Sequence, residues 1–369
     1  ALVLRRGDVV AETVKTVRRT GAGAVFVGAD VSAYARERER RLAARVDLRL
    51  VNTLFAVPPG EVAPAGSDHY RVFTPYFRAW QDVPIGDPLR APRRIVLPPG
   101  LEPRTTRHAT DRHTAQGSAP GGETAGRGRA RRWLRSRLGE YPAAHDDLEA
   151  DGTSRLSPYL HFGCVSPRWL VTKSREQGGE AFARQLCWRD FFGQLLWANP
   201  RSQTEDLRPR GDRWVDDPEG LAAWKEGQTG YPLVDAGMRQ LQQEGWMHNR
   251  ARMVAASFLV KDLGIDWREG ARHFFDLLVD GDVAQNVGNW QWVAGTGADT
   301  RPNRILNPTT QARKLDPRGS YVRRHVGELE GLTAPDVFAP AGIVRGYAEP
   351  IVDHAVATGA FRERRGART

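Results

Sequence analysis

The sequence predicts an α/β domain followed by a domain built from helices alone. Three observations predict this division. Short apolar runs alternate with helical patterns over residues 1–57, a stretch rich in Pro, Gly, Arg and Thr occupies residues 83–130, and apolar spacings of three and four dominate from Arg131 onward. The predicted units are therefore residues 1–82, a connecting segment at 83–130, and residues 131–369.

The first domain is predicted to contain a parallel sheet with crossover helices. The segments ALVLRRGD, AVFVGAD and LRLVNTLFAV fit strands, and the helical patterns VVAETVKTVRRTG and ARERERRLAARV lie between them. Gly21 stands where a glycine would end the first helix. The glycines of RTGAGAVFVG precede a strand rather than follow one, so they predict a helix-to-strand turn instead of a dinucleotide-binding loop.

The connecting segment is predicted to be long and partly mobile, because GSAPGGETAGRGRA contains few large apolar residues. The domain after it shows helical spacing in segments such as RRWLRSRLGEY, EAFARQLCWRDFFGQLLWA and WREGARHFFDLLVDG. Ser166 and Pro167 are predicted to begin one helix, with serine as the N-cap and proline at the first helical position. Strand signals almost vanish, so this domain is predicted to be all-α.

The composition indicates a soluble protein with a polyanionic partner. The chain has 54 Lys and Arg against 44 Asp and Glu, a net charge of +10. This balance favours nucleic acid, although an arginine-rich composition from a GC-rich source explains it as well. No apolar run approaches a membrane span, and Cys164 and Cys187 form no CxxC pair. We therefore expect a cytoplasmic protein without a disulfide framework or a zinc site.

Two segments of the second domain could bind anions or bases. In DGTSRLSPYLHFG, the hydroxyl residues Thr153, Ser154 and Ser157 precede or begin a helix, where they could form an anion site, although plain N-capping is the more common reason for such residues. In EGWMHNRARM, the adjacent Asn249 and Arg250 could read base edges or clamp a phosphate. The alternative there is a solvated helix start.

Two further segments combine aromatic and polar side chains. On a helix, Gln185, Trp188 and Arg189 of RQLCWRDFFGQLLW lie within a turn or so of one another, which is typical of packing with a solvated charge and only weakly suggests a site. In DGDVAQNVGNWQW, Asp280 and Asp282 could be a metal pair. Their neighbours are amides and indoles, however, and these suit a heteroaromatic ring better than a metal ion.

Taken together, six ordered motifs resemble the photolyase/cryptochrome family, and within it the microbial class I cyclobutane pyrimidine dimer photolyases. They are GTSRLSPYLHFG, QLCWRDFF, TGYPLVDAGMRQLQQEGWMHNRARM, ASFLVKDLGIDWREG, DGDVAQNVGNWQW and RILNPTTQARKLDPRGSYVRR. The match is dense from Tyr141 to Val326. The resemblance implies an N-terminal α/β antenna domain, a long linker and a C-terminal all-helical domain that binds FAD.

The resemblance also implies site residues, although none of them follows from spacing alone. Around the FAD phosphates and ribityl chain it implies Tyr141, Thr153, Ser154, Leu156, Ser157 and Arg189. Beside the flavin ring it implies Asp280 paired with Arg252, Asp282 at the pyrimidine end, and Asn286 at N5. An electron-hopping chain is implied at Trp290, Trp267 and Trp214, from the flavin outward. A pocket for the flipped-out lesion is implied at Gln185, Trp188, Asn249, Arg250, Met253 and Trp292.

The implied activity is blue-light-dependent repair of cyclobutane pyrimidine dimers in DNA, by electron transfer from reduced FAD to the flipped-out lesion. Gln185 stands where dimer photolyases usually have a glutamate, which keeps two alternatives open. One is a cryptochrome-type photoreceptor without repair, and the other is repair of (6-4) photoproducts. The (6-4) enzymes, however, have histidines where this chain has Asn249 and Met253.

The front of the chain also departs from the family pattern. The family's first strand and several further elements have no counterpart before ALVLRRGD. Because an antenna chromophore, a folate or a deazaflavin, uses a pocket partly built from those elements, we expect antenna binding to be doubtful. We further expect a monomer that binds damaged DNA.

Overall fold

The computed structural model describes residues 3–86, 92–99, 101 and 119–366. Residues 87–91 and 102–118 of the connecting segment lie outside these ranges, so the mobility expected there stays a prediction. Among the described residues, no helix is both long and apolar enough to cross a membrane.

The N-terminal part contains helix α1 (Val9–Thr20), strand β1 (Val25–Gly28), helix α2 (Ala33–Ala43) and strand β2 (Leu48–Val51). The two strands pair in parallel, with Val25 opposite Leu48. Gly21 has φ 66° and ends α1, as predicted. The parallel sheet is therefore confirmed, although the described residues show it with two strands instead of three.

The strand predicted at ALVLRRGD is wrong for its described residues, because residues 3–8 form no strand. Asp8 instead caps α1, its Oδ1 accepting a hydrogen bond of 2.8 Å from the Ala11 N–H. The strand predicted at LRLVNTLFAV ends early, at Val51. Asn52 follows, and its side chain donates to the Phe55 carbonyl (2.9 Å) and accepts from the Phe55 N–H (3.2 Å), so a local turn replaces the ladder.

Helices make up nearly all regular structure after residue 72. They are α3 (Phe73–Gln81), α4 (Glu123–Ser136), α5 (Tyr141–Ala144), α6 (Ser157–His161), α7 (Pro167–Glu176), α8 (Glu180–Ala198), α9 (Pro218–Glu226), α10 (Pro232–Glu244), α11 (Asn249–Ser257), a π-helical turn (Phe258–Asp262), α12 (Trp267–Leu277), α13 (Val283–Ala294), α14 (Pro308–Leu315), α15 (Ser320–His325) and α16 (His354–Gly366). Short 3-10 turns occupy Leu138–Glu140, Pro200–Gln203, Gly327–Leu329 and Asp336–Phe338. The predicted all-helical domain is thus confirmed, and Ser166 caps α7 as expected.

Helix α4 begins earlier than the sequence suggested. Residues 123–130, predicted to belong to the connecting segment, form its first half. Their small side chains serve close packing: a Cβ at Gly126 would lie 2.7 Å from the Tyr159 ring, and Ala130 is fully buried. The scarcity of large side chains that indicated a linker at residues 123–130 therefore allows α4 to pack closely against its neighbours.

Asp190 on α8 anchors the N-terminal part to the helical domain. Its buried carboxylate accepts hydrogen bonds from the N–H groups of Ala56 and Val57 and from the Trp80 indole, at 2.9 to 3.3 Å. Burial raises the pKa of Asp190 to about 6, although these hydrogen bonds favour its ionised form. The contact places α3 against α8, and α8 carries several of the expected site residues.

Lys261, in the π-helical turn, is completely buried beneath α16. Its ammonium donates to the carbonyls of Ala294 and Pro302, both at 3.1 Å, and lies 4.2 Å from the centre of the Phe361 ring. Burial lowers the pKa of Lys261 from 10.5 to about 7, and the nearby Arg365 lowers it further. Folding therefore tends to remove a proton from this side chain near neutral pH.

Raising the pH from about 7.5 to about 9.5 is expected to stabilise the fold through Lys261 by about 2 kcal/mol. In this window the unfolded lysine keeps its proton while the folded one has lost it, so unfolding takes up a proton and stability rises with pH. Urea unfolding at the two pH values measures the effect. The variant Lys261→Met has a side chain of similar volume that does not titrate. Its free energy of unfolding is therefore expected to rise less between the two pH values, by the part that Lys261 contributes. An equal rise in both proteins would contradict the assignment.

Candidate functional site

An open cleft lies between α11, α13 and the C-terminal end of α12. Seven of the residues expected from the resemblance line it: Asn249, Arg252, Met253, Asp280, Asp282, Asn286 and Trp290. A concave site with a few polar groups converging on it is typical of a place where a cofactor or small molecule binds.

Local capping interactions position the two helices that form the walls of the cleft. Asp282 caps α13, its Oδ1 accepting from the Gln285 N–H at 3.0 Å. His248 caps α11, its Nδ1 accepting from the Arg250 N–H at 3.2 Å. Asp280 comes just before the Asp282 cap of α13, and Arg252 lies one turn after the His248 cap of α11. The two caps therefore bring Asp280 and Arg252 together.

Arg252 and Asp280 form an ion pair within the cleft. The Nη2 atom of Arg252 lies 3.1 and 2.9 Å from the two carboxylate oxygens of Asp280, and its Nε donates to the Met247 carbonyl at 2.8 Å. The Asp280 side chain is 3% exposed, against 25% for Arg252. The pairing implied by the resemblance is therefore present, and it leaves part of a cationic guanidinium accessible from the cleft.

Asp282 places a further negative charge in the wall of the cleft. Burial would raise its pKa, but His161, Arg189 and the Gln285 N–H lower it below its usual value. Its Oδ2 lies 3.8 Å from Nδ1 of His161 and 3.7 Å from Nη2 of Arg189. The metal-pair interpretation finds no support here, because no group of three or more His, Cys, Asp or Glu among the described residues is placed to hold a metal ion.

Two buried polar atoms of residues expected around the cofactor have no hydrogen-bond partner within the described part of the chain: Oγ1 of Thr153 and Nη2 of Arg189. Such atoms are destabilising unless a ligand or solvent satisfies them. Helix α6 has only five residues and starts at Ser157 without a side-chain cap, so the N-capping interpretation of these hydroxyls is not what the structure shows. Ser154 accepts from the Leu156 N–H at 3.3 Å and thereby shapes the turn.

Asn286 and Trp290 belong to the same face of α13. The amide of Asn286 donates to the Ala271 carbonyl at 2.8 Å, which holds this side chain against α12. Trp290 is 2% exposed, and its indole covers Gly270, where a Cβ would lie only 2.1 Å from the ring. Glycine is therefore required at this helix contact for the indole to reach the cleft wall.

The other two indoles of the expected chain lie at or near the start of α12. Trp267 begins this helix one turn before Gly270, is buried, and donates from Nε1 to Asp206 at 2.9 Å. Trp214 is partly buried, and the next residue, Val215, bonds to the Gly264 carbonyl just before α12. Sequence reasoning missed Trp224, whose ring centre lies 6.1 Å from that of Trp290.

The residues expected around the lesion divide into two groups. Trp188 and Trp292 meet edge to face, with ring centres 5.2 Å apart at 89°, and so form an apolar corner. Gln185 lies on α8 one turn before Trp188, is exposed, and is not among the residues that line the cleft. At the cleft itself, the Met253 sulfur lies 3.9 Å from both the Asn249 amide and the Arg250 guanidinium.

Tyr141 lies apart from the cleft walls. Its ring is buried against Trp133 and Phe182, and burial raises its pKa. The nearby Asp146 raises the pKa of Tyr141 further and Arg250 lowers it, which places this hydroxyl close to an ion pair between those two side chains.

Besides Trp224, three further residues of the site were not foreseen. Gln285 lines the cleft and ties α13 to α8 by donating to the Arg189 carbonyl at 2.8 Å. Phe73 of α3 stacks on Trp188, with ring centres 3.5 Å apart. Asp146 pairs with Arg250 from a segment 104 residues away. Gln285 could have been found within its motif, whereas the other two depend on contacts distant in sequence.

Residues 182–367 match a family model described as the FAD binding domain of DNA photolyase, and residues 1–93 match the DNA photolyase model. The chain belongs to the photolyase/cryptochrome family. The expected family, the two-part fold and FAD as the cofactor are thereby confirmed. The orphaned atoms of Thr153 and Arg189 and the charged cleft fit such a group.

Curated relatives of this family member are named deoxyribodipyrimidine photo-lyase, which confirms the expectation of an enzyme. That of Streptomyces griseus is 49% identical over 383 residues, covering 99% of this chain and 84% of the relative. That of Escherichia coli K12 is 39% identical over 324 residues, covering 81% and 68%.

Solved structures of both branches of the family resemble this fold. A class III photolyase of Agrobacterium tumefaciens has a TM-score of 0.87 at 33% identity and covers 99% of this chain and 83% of its own. A cryptochrome of Synechocystis has a TM-score of 0.88 at 28% identity, with coverages of 96% and 81%. The fold alone therefore does not separate repair from photoreception.

Proposed function

We propose that this photolyase-family enzyme repairs cyclobutane pyrimidine dimers in DNA under blue light. One observation carries the proposal: a single cleft has the Arg252–Asp280 pair and Trp290 in its walls and Asn249 and Met253 on the same α11 wall. Cofactor chemistry and lesion binding would then share one cavity, as direct electron transfer requires.

The proposed FAD site uses two side-chain atoms that have no hydrogen-bond partner among the described residues. Thr153 and Arg189 would donate to the phosphates and ribityl chain, with Ser154, Leu156 and Ser157 shaping that turn. When bound and reduced, FAD would supply the electron that splits the dimer on light absorption and would recover it afterwards.

Charges in the cleft support a reduced, anionic flavin. The accessible part of the Arg252 guanidinium would stabilise negative charge on the ring, and Asp280 would keep that guanidinium in place. Asp282, held ionised by Arg189 and His161, would accept a hydrogen bond from the pyrimidine end of the ring. Asn286 would lie beside N5, oriented by its bond to Ala271.

The lesion would be flipped out of the duplex into the same cleft. Extrusion costs a few kcal/mol, and less for a damaged, poorly stacked base pair. The apolar corner of Trp188 and Trp292 offers two ring surfaces, and stacking there would return about 1–3 kcal/mol per base. Phe73 already stacks on one face of the Trp188 ring, so the lesion would stack on the opposite face.

A repair assay tests the proposal. FAD-loaded, chemically reduced protein is mixed with oligonucleotides that carry either a cyclobutane thymine dimer or a (6-4) photoproduct, in blue light and in darkness. We expect light-dependent repair of the dimer, with little repair of the (6-4) product because Asn249 and Met253 replace its histidines. Absence of dimer repair with FAD fully bound would overturn the proposal.

Gln185→Ala is expected to weaken dark binding of the dimer oligonucleotide about fivefold, the equivalent of one hydrogen bond of about 1 kcal/mol. Undamaged DNA should bind unchanged, because the exposed amide would contact only an extruded base. Gln185→Glu serves as the control that keeps a hydrogen-bonding group at this position, and it should retain dimer repair. If neither variant changes binding or repair, Gln185 lies outside the lesion pocket.

Photoreception without repair is the second candidate. Gln185 and the likeness to the Synechocystis cryptochrome favour it. It would give photoreduction of bound FAD through the tryptophan residues but no loss of dimers in the assay above. The two candidates therefore predict opposite outcomes in one experiment.

A further inference from the structure

Arg250, at the rim of the cleft, is already paired with an acid. Its Nε donates to Oδ1 of Asp146 at 2.6 Å, and its Nη2 donates to the other carboxylate oxygen. Both side chains are about one-third exposed. The fork of the guanidinium that suits a phosphate is thus occupied by a carboxylate of the same planar, two-oxygen geometry.

The position of Arg250 relates this pair to DNA binding. The residue follows Asn249, which lines the cleft, and its Nη1 lies 3.9 Å from the sulfur of Met253, which also lines it. A guanidinium at this rim would meet the backbone of a strand whose lesion enters the cleft. Any duplex passing over the rim would present phosphates to it as well.

Asp146 is held as an anion at this rim. Burial would raise its pKa, but the hydrogen bonds and charge of Arg250 lower it below its usual value, and His145 and His248 lower it slightly more. His145 places its Nε2 3.3 Å from Oδ1 of Asp146. The carboxylate therefore repels a phosphate near neutral pH and balances the charge of Arg250.

We propose that Asp146 is a specificity-determining residue that acts through Arg250. Asp146 balances the positive charge of the Arg250 guanidinium, so that undamaged duplex is attracted less strongly. It also holds this guanidinium over the cleft, where only the backbone of a strand with an extruded lesion reaches it. This inference rests on the proposed function, since it concerns discrimination between damaged and undamaged DNA. A repulsive element against the wrong ligand is a usual source of such specificity.

Dark binding of FAD-loaded protein to two duplexes tests the inference, one with a single cyclobutane thymine dimer and one identical but undamaged. For Asp146→Asn we expect affinity for undamaged DNA to rise about fivefold with a steeper salt dependence, by about one unit of the log–log slope. Affinity for the dimer should stay level or fall, so the specificity ratio drops. The matched control is Asp147→Asn, which removes the same charge one residue away, from a carboxylate that accepts from the Glu149 and Ala150 N–H groups.

A double-mutant cycle identifies the route of the effect. In an Arg250→Gln background, Asp146→Asn should change neither affinity more than Asp147→Asn does. The inference would be overturned, while the proposed function stands, if Asp146→Asn and Asp147→Asn changed the affinities equally in the wild-type background. It would also be overturned if Asp146→Asn kept its full effect on affinity in the Arg250→Gln background. A wild-type protein that binds both duplexes equally would overturn both.

Discussion

Trp290→Phe is expected to slow photoreduction of bound, oxidised FAD by roughly an order of magnitude or more, because a phenyl ring is a far poorer electron donor than an indole. Repair by chemically reduced protein should persist, because the indole is proposed to deliver electrons to the flavin and not to the lesion. Steady-state absorbance under blue light with a thiol donor measures the first property. The dimer assay after dithionite reduction measures the second.

The structure supports this separation of roles. Trp290 lines the cleft and is buried against Gly270 of α12, the helix that begins at Trp267, and Trp214 is only partly buried. Phenylalanine retains an apolar ring, so the change should cost no more than about 1–3 kcal/mol of stability.

Trp224→Phe provides the control for this prediction. Its ring lies 6.1 Å from that of Trp290, yet it is fully buried and its Nε1 donates to the Ala255 carbonyl at 2.9 Å. It therefore offers no route to solvent, and photoreduction should continue in this variant. Equal loss of photoreduction and repair in Trp290→Phe, or stronger loss in Trp224→Phe, would contradict the proposed chain.

Arg252→Met is expected to lower the free energy of unfolding by about 3–5 kcal/mol, because it leaves a buried carboxylate without its cation. Asp280 is 3% exposed, and within the described ranges Arg252 is its one ion-pair partner. FAD binding should weaken strongly too, since the flavin ring would meet the unpaired charge of Asp280 in place of a guanidinium. Urea unfolding and the ratio of flavin to protein absorbance measure the two effects.

The double variant Arg252→Met, Asp280→Asn separates stability from cofactor binding. Removing both charges should recover much of the lost stability, as replacing a whole buried ion pair often does. Binding of reduced FAD should remain weak, because no cation stabilises the anionic ring. Full recovery of both properties would show that Arg252 has no role toward the flavin.

Local rules predicted much of the fold from the sequence. Gly21 and Ser166 end and begin helices as their chemistry requires. Errors arose where a local pattern had two physical causes. Few large side chains suggested a linker at 123–130, but there they allow α4 to pack closely. An apolar run suggested a strand at ALVLRRGD, but its described residues form no strand and Asp8 caps a helix.

The candidate site was predictable only in part, for a similar reason. Residues of one motif, such as Asp280, Asn286 and Trp290, share a cleft because they are close in sequence. The partners Asp146 and Arg250 are 104 residues apart, and Phe73 reaches Trp188 from another element. No spacing rule in a single sequence connects such pairs, so only the folded structure reveals them.

The most direct measurement is an action spectrum for dimer splitting by protein carrying reduced FAD. Dimer loss per incident photon should follow the absorption band of the bound flavin, and darkness should abolish it. Splitting that proceeds in darkness, or that fails while the flavin is fully reduced and the dimer is bound, would contradict electron transfer within this cleft.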